Sequence, residues 1–311
     1  MFIHLCDDFV FLSNNIDFAI ASKALNWKTL TFKMHYTRYL LVSVVLLITV
    51  SSNFAPVKMK SIFNGKDLTG WDLYIGPVYD SVKKDFAGEP IGLNNDPNKV
   101  FSVVKEDGKP AIRISGENFG GISTQQEFSN YHLRLEFKWG ELKWNPKRNA
   151  KRDSGLLYHA VGPHARDGLF WMRSQEFQIQ EGDCGDYWGC GGAFADVPAA
   201  KQGEKFAYAA GAPLLTFRDK GPNGRNCIKR GDGEKSSGEW NTIDLYCYGD
   251  TSVHIVNGKV MMALYNLRQP DGSDASPLTK GKIQIQSEGA EVFYRELAIE
   301  QISGIPKGLL Q

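Results

Sequence analysis

The sequence predicts an all-β fold, and three observations carry that prediction. Glycine is abundant at 32 residues and aromatics make up 12% of the chain, a turn-rich composition unlike that of a helix bundle. Short apolar runs alternate in period two and are separated by Asn-Gly and Asp-Gly turns. The clearest is Tyr131 to Trp139, where Tyr131, Leu133, Leu135, Phe137 and Trp139 alternate with His132, Arg134, Glu136 and Lys138. One face of that strand belongs to a core and the other to water, so His132 is expected on the wet face.

The domain is expected to open with the strand Trp71 to Ile75, after the Asn64-Gly65 turn. Pro77 to Lys99 is rich in Pro, Gly, Asn and Asp and reads as an irregular loop. Strands are expected at Val100–Val104, Ala111–Ser115, Gly121–Thr124 and Leu156–Ala160. The basic stretch Lys143 to Arg152 is interrupted by Pro146 and reads as a surface loop. Gly189 to Gly238 is too long to be structureless in a compact domain and reads as a lid or packed insertion, with weak strands at Lys205–Tyr208 and Leu214–Phe217. The alternation returns at Thr242–Tyr248, Ser252–Val256, Lys259–Tyr265, Lys282–Gln286 and Val292–Gln301.

With 36 basic and 35 acidic residues the formal charge is +1. Such a balance leaves no electrostatic footprint for nucleic acid. Dinucleotide, P-loop, zinc-protease and nucleophile-elbow motifs do not occur in the sequence. Of the cysteines, Cys6 precedes the domain; Cys184, Cys190, Cys227 and Cys247 lack zinc-site spacing and allow three disulfide pairings or free thiols. Cys184 with Cys190 and Cys227 with Cys247 are one such pairing.

Chemistry gathers in Arg173 to Trp188, RSQEFQIQEGDCGDYW. As a strand, QEFQIQ sets Glu176, Gln178 and Gln180 on one face and Phe177 and Ile179 on the other. A carboxylate and amide ladder without a lysine suits a neutral, hydroxyl-rich ligand such as a small carbohydrate. Glu176 is the first candidate for a catalytic base, or for the residue that orients one. Gln178 and Gln286 are candidates to bond sugar hydroxyls, with Trp171, Trp188 and Tyr187 as stacking surfaces. His159 and His254 are histidines on strands, each chemically suited to act as acid, base or metal ligand; Arg173 could stabilise an enolate oxygen. Glu181, Asp183 and Asp186 form an acidic group whose oxygens suit Ca²⁺ or Mn²⁺. Turn-capping is the alternative for those three.

The segments FNGKDLTGW, RDSGLLYH, EFQIQEGD, EWNTIDLYCYGDTSVHIVNGK and GKIQIQSEGAEVFYRELAIEQI resemble, in order, the 3-keto-disaccharide hydrolase domain, over residues 61–302. The resemblance implies a jelly-roll β-sandwich of the concanavalin A-like lectin and glucanase type. It further implies glycoside breakdown in the periplasm or outside the cell, and a functional partner oxidoreductase that makes the keto sugar. A ketone at C3 acidifies the hydrogen on C2, which allows elimination of the C1 substituent followed by hydration. The spacing of Glu176, Gln178 and Glu181 also resembles laminarinase-type retaining glucanases, where two carboxyls lie about 5–5.5 Å apart; a non-catalytic carbohydrate-binding sandwich is the third class.

Residues Tyr39 to Val50 form one long apolar run, shorter than the roughly 20 residues that span a bilayer. Met34, His35 and Arg38 precede it and Ser51, Ser52, Asn53 and Ala55 follow, the three zones of a secretory signal. Synthesis is expected to start at Met34, which makes residues 1–33 an over-extended reading frame and 34–55 a signal peptide, with no stable membrane span after its removal. Amino-terminal sequencing of the exported protein should read a first residue between Asn53 and Lys58. A peptide from residues 1–33 would refute this start.

Overall fold

Period-two alternation settles which residues of each strand face inward. In Asp153–Val161, Ser154, Leu156 and Tyr158 turn one way and Asp153, Gly155 and Leu157 the other. Its neighbour Arg173–Gln180 pairs Leu156 with Phe177 and Gly155 with Gln178, so the two strands agree on which face is apolar. Phe177 and Ile179 are fully buried, and each contributes on the order of 2 kcal/mol through removal from water.

The computed structural model describes residues 59–310. The expected start at Met34, the signal peptide, the mature terminus and Cys6 lie outside them.

Two antiparallel sheets pack face to face as a jelly-roll sandwich. The smaller runs in the order Asn226–Cys227, Tyr187–Cys190, Arg173–Gln180, Asp153–Val161, Lys282–Ser287, Gly120–Thr124, Trp71–Ile75 and Gly92–Leu93. The larger is built around Thr251–Val256, Asn241–Tyr248, Tyr131–Lys143 and Ala290–Gln301. Chain order alternates between the sheets: Gly120–Thr124 leads to Tyr131–Lys143 across the core, and Lys282–Ser287 leads back to Ala290–Gln301.

Between the sheets lie Leu156, Tyr158, Phe177, Ile179, Ile283 and Ile285 from one side, against Leu133, Leu135, Phe137, Leu245, Met262 and Tyr294 from the other. Several polar groups inside this layer are partnered across it, although the Tyr131 hydroxyl and His159 Nε2 are buried without a partner. The Tyr158 hydroxyl is 2.7 Å from Ser252 Oγ and 3.1 Å from His254 Nε2, and Ser154 Oγ is 2.7 Å from the Tyr294 hydroxyl. Such bonds fix the lateral register of the sheets, because an unpartnered hydroxyl here costs about 1–3 kcal/mol.

Three sequence expectations change. The excursion after Gly189 carries the strand Phe194–Gln202, which pairs with Lys259–Asp271 and extends the larger sheet. Its FADVPAAKQ composition, with a proline and three alanines, hides the alternation. Pro77–Lys99 contains a short hairpin, Val78–Asp80 with Asp85–Ala87. His132 is not wet: it is 5% exposed, its ring nitrogens lie 2.9 Å from Glu300 and 2.7 Å from Asp244, and its ring stacks on Tyr246. Cross-strand carboxylates and an aromatic have replaced water on that face.

Candidate active site on the outer face of the smaller sheet

The face of the smaller sheet turned away from the core is polar for the reason the inner face is apolar. Across it, Glu176 pairs with Leu157 and Leu157 with Gln284; in the next row Gln178 pairs with Gly155, and Gln286 with Gly121. The glycines let the long side chains lie flat. A Cβ on Gly155 would collide with Glu176 Oε1 and Gln286 Oε1, and one on Gly121 would stand 2.9 Å from Gln284 Cδ. Both carboxyl and amide therefore converge over Gly155.

The ladder is covered rather than open, with Glu176 5% and Gln178 7% exposed. Two of its acceptors, Gln178 Oε1 and Gln286 Oε1, are buried without a hydrogen-bond partner. Gln178 Nε2 donates to Asp153 Oδ1 at 3.2 Å and Gln180 Nε2 to Asp153 Oδ2 at 2.5 Å. Lys147, from the loop read as a plain surface loop, turns its ammonium inward onto both Asp153 and Glu288.

One cation thus serves two carboxyls, and Glu176 has none in contact. Burial pushes Glu176 up to about 8, with Asp153 and Asp167 adding repulsion and the Cys190 thiol, 3.0 Å from Glu176 Oε2, opposing it. Burial also raises Glu288 well above the usual carboxylate range, reinforced by Asp153 and opposed by Lys147. Asp153 is raised by burial against the pull of Lys147. Burial opposes the charge on Lys147, yet Glu288 and Asp153 together hold its pKa above the ordinary value. At neutral pH Glu176 is a neutral acid, able to donate a proton.

A histidine does border this face, though not one the sequence singled out. His164 stacks on Tyr74, with ring centroids 5.1 Å apart, and its Nδ1 lies 3.4 Å from Gln284 Nε2. Burial, then the charge of Lys282, lowers its pKa, so the imidazole is neutral at pH 7. At the other rim, Arg225 binds Asp167 at 3.0 Å and sits 5.3 Å over the Trp188 ring.

The expected site residues therefore separate. Glu176, Gln178, Gln286 and Trp188 share the outer face. Tyr187 pairs with Phe177 on the core side, fully buried, its hydroxyl 2.6 Å from Gln175 Oε1. Half-buried Trp171 gives its indole N–H to Gly120 O at 2.9 Å. His254 lies between the sheets, stacked on Phe177, and burial lowers its pKa to about 3. His159 sits at a strand irregularity with φ 51°, which turns its ring inward beside Tyr131 and Tyr158; burial lowers it to about 4. Neither histidine meets Glu176. Arg173 turns to Gly191 O, 2.9 Å away.

The acidic group does not assemble either. Glu181 is bound by Arg152 at 3.1 Å and Asp183 by Lys151 at 2.6 Å, while Asp186, raised to about 6 by burial, accepts from the Lys229 backbone at 2.9 Å. Among the described residues no three His, Cys, Asp or Glu side chains gather as a metal site. Glu181, Asp183 and Asp186 thus do not fit Ca²⁺ or Mn²⁺. Cys184, Cys190, Cys227 and Cys247 are buried free thiols.

The profile of a 3-keto-alpha-glucoside-1,2-lyase-like domain matches residues 58–300. The chain belongs to this family. Membership makes it a carbohydrate-active, sugar-processing domain, and the lyase-like domain spans both sheets. No curated protein matches the sequence. Similar solved structures include two candidate glycosyl hydrolases from Parabacteroides distasonis. One is 19% identical over 66% of this chain and 91% of its own, with a TM-score of 0.39. The other is 17% identical over 79% and 94%, with a TM-score of 0.42. A carbohydrate-binding module, CBM66, from Bacillus subtilis is 8% identical over 64% and 91%, with a TM-score of 0.36.

The raised Glu176 carboxyl makes a stability prediction. Its folded pKa of about 8 exceeds the ordinary 4.5, so the unfolded chain loses this proton first and folding becomes less favourable as pH rises from 4.5 to 8. Glu176→Gln removes that dependence. The variant should match the parent in denaturant unfolding near pH 4 and exceed it, by on the order of 5 kcal/mol, near pH 8.5.

Proposed function

We propose that this domain cleaves 3-keto-glycosides at the outer face of the smaller sheet, by elimination across C1 and C2 followed by hydration. The observation that carries the proposal is the row of Glu176, Gln178 and Gln286 over Gly155. It combines a neutral buried acid with two acceptors that lack donors, and sugar hydroxyls are donors. A sugar reaches this row from the rim, where Lys147, Glu288, Trp188 and His164 are partly exposed.

The chemistry divides between the two groups whose environments push them toward opposite tasks. Neutral His164 takes the C2 proton, and the C2–H electron pair moves toward C3 to give an enolate on O3. Lys147 supplies the positive charge on this face for that oxygen. The electrons return to form C1=C2 while the C1–O bond breaks, and Glu176 protonates the departing oxygen. Water then adds at C1 and a proton returns to C2, restoring the 3-keto sugar.

The family name favours this lyase chemistry over direct displacement. Retaining hydrolysis by Glu176 and Glu181 loses support because Arg152 holds Glu181. The secretory leader read from the sequence fits work in the periplasm or outside the cell, on keto sugars made by a separate oxidoreductase.

With a 3-keto-disaccharide in deuterated buffer, the parent should release both sugars and exchange hydrogen at C2, and the unoxidised disaccharide should be untouched. Glu176→Gln should slow cleavage about 100-fold or more while exchange continues, because the base remains. Cleavage without any C2 exchange would refute elimination.

A further inference from the structure

One residue beyond Cys190 in the chain, Gly191 borders a basic hollow at the start of the Arg173–Gln180 strand. Cys190 touches Glu176, and Gly191 packs against two arginines. A Cβ on Gly191 would lie 2.9 Å from Arg173 Cα and 3.1 Å from Arg166 Cγ. With φ +59° as well, this position admits glycine on both steric and conformational grounds. Its missing side chain lets both arginines approach the same turn.

Arg166 and Arg173 line a hollow of about 380 Å³ with Val161, Gly162, Pro163 and Gln269. Among the described residues neither pairs with a carboxylate. Arg173 meets only neutral acceptors, Gly191 O at 2.9 Å and Gln269 Oε1 at 3.5 Å. The nearest acid in sequence, Asp167, is already bound by Arg225. Burial and then the charge of Arg166 make the positive form of Arg173 harder to keep. Two like charges on one apolar-walled hollow call for an anion.

We propose that Arg166 and Arg173 form an oxyanion subsite at the Arg173 end of the Arg173–Gln180 strand, which holds a carboxylate, sulfate or phosphate group carried by the sugar. That the anion belongs to a sugar rests on the cleavage reading above; that the hollow binds an oxyanion does not. Forked guanidinium donors suit a planar carboxylate or a tetrahedral ester equally, and a neutral hexose has no group that needs them.

Calorimetric titration of the full chain at constant ionic strength tests this, with inorganic phosphate, glucuronate and methyl glucoside as probes. Phosphate and glucuronate should bind saturably and compete with each other. Arg166→Gln, an exposed position that leaves the fold intact, should weaken both about tenfold without changing methyl glucoside binding or the melting temperature. Arg173→Gln should weaken both as well. Equal binding of phosphate and glucuronate by parent and Arg166→Gln, or no saturable binding of either, would overturn the subsite. Binding is read without turnover, so failure of the cleavage assay and failure of this one are separate results.

Discussion

Strand alternation through Asp153–Val161 and Arg173–Gln180 is the constraint on which the rest of the molecule depends. Leu156, Tyr158, Phe177 and Ile179 must be inward to close the core, so Asp153, Glu176 and Gln178 must be outward. A slip of one residue would bury the ladder in hydrocarbon and expose the core. Hydrophobic burial thereby positions polar chemistry. The bonds of Tyr158 to Ser252 and His254, and of Ser154 to Tyr294, lock the sheets together and keep the outer face in register.

On that face, charge is scarce relative to acid. Lys147 can neutralise Asp153 and Glu288 only in part, and Glu176 has no cation within its own contacts. Carrying all three carboxylates ionised in a covered layer would be costly, so the raised pKa values follow from packing. An acid kept neutral near pH 7 and an imidazole kept uncharged are the complementary pair a proton-transfer enzyme needs. The fold supplies both chiefly by burial, with neighbouring charges adding to it.

Much of the fold was legible because alternation is a local signal. Tyr131–Trp139 and the strands from Thr242 onward lie where their apolar residues put them. Phe194–Gln202 was hidden because alanine and proline carry little pattern. At the site, Glu176, Gln178 and Gln286 were readable from parity on a strand. His159 was not, because a local irregularity with positive φ reverses its direction and leaves no mark in composition. In TSVHIV both faces are buried, so the sequence could not place His254. Lys147 lies beside Pro146 in a basic loop that looks solvated, and only the position of Glu288 and Asp153 shows why it turns inward. His164 had no strand to orient it.

The central claim is that the Glu176, Gln178 and Gln286 row over Gly155 is where the sugar sits. A crystal structure of the Glu176→Gln variant soaked with a 3-keto-disaccharide tests it most directly. The account predicts a keto sugar ring over Gly155, with hydroxyls donating to Gln178 Oε1 and Gln286 Oε1. A sugar bound elsewhere, with those two oxygens still lacking donors, would contradict it.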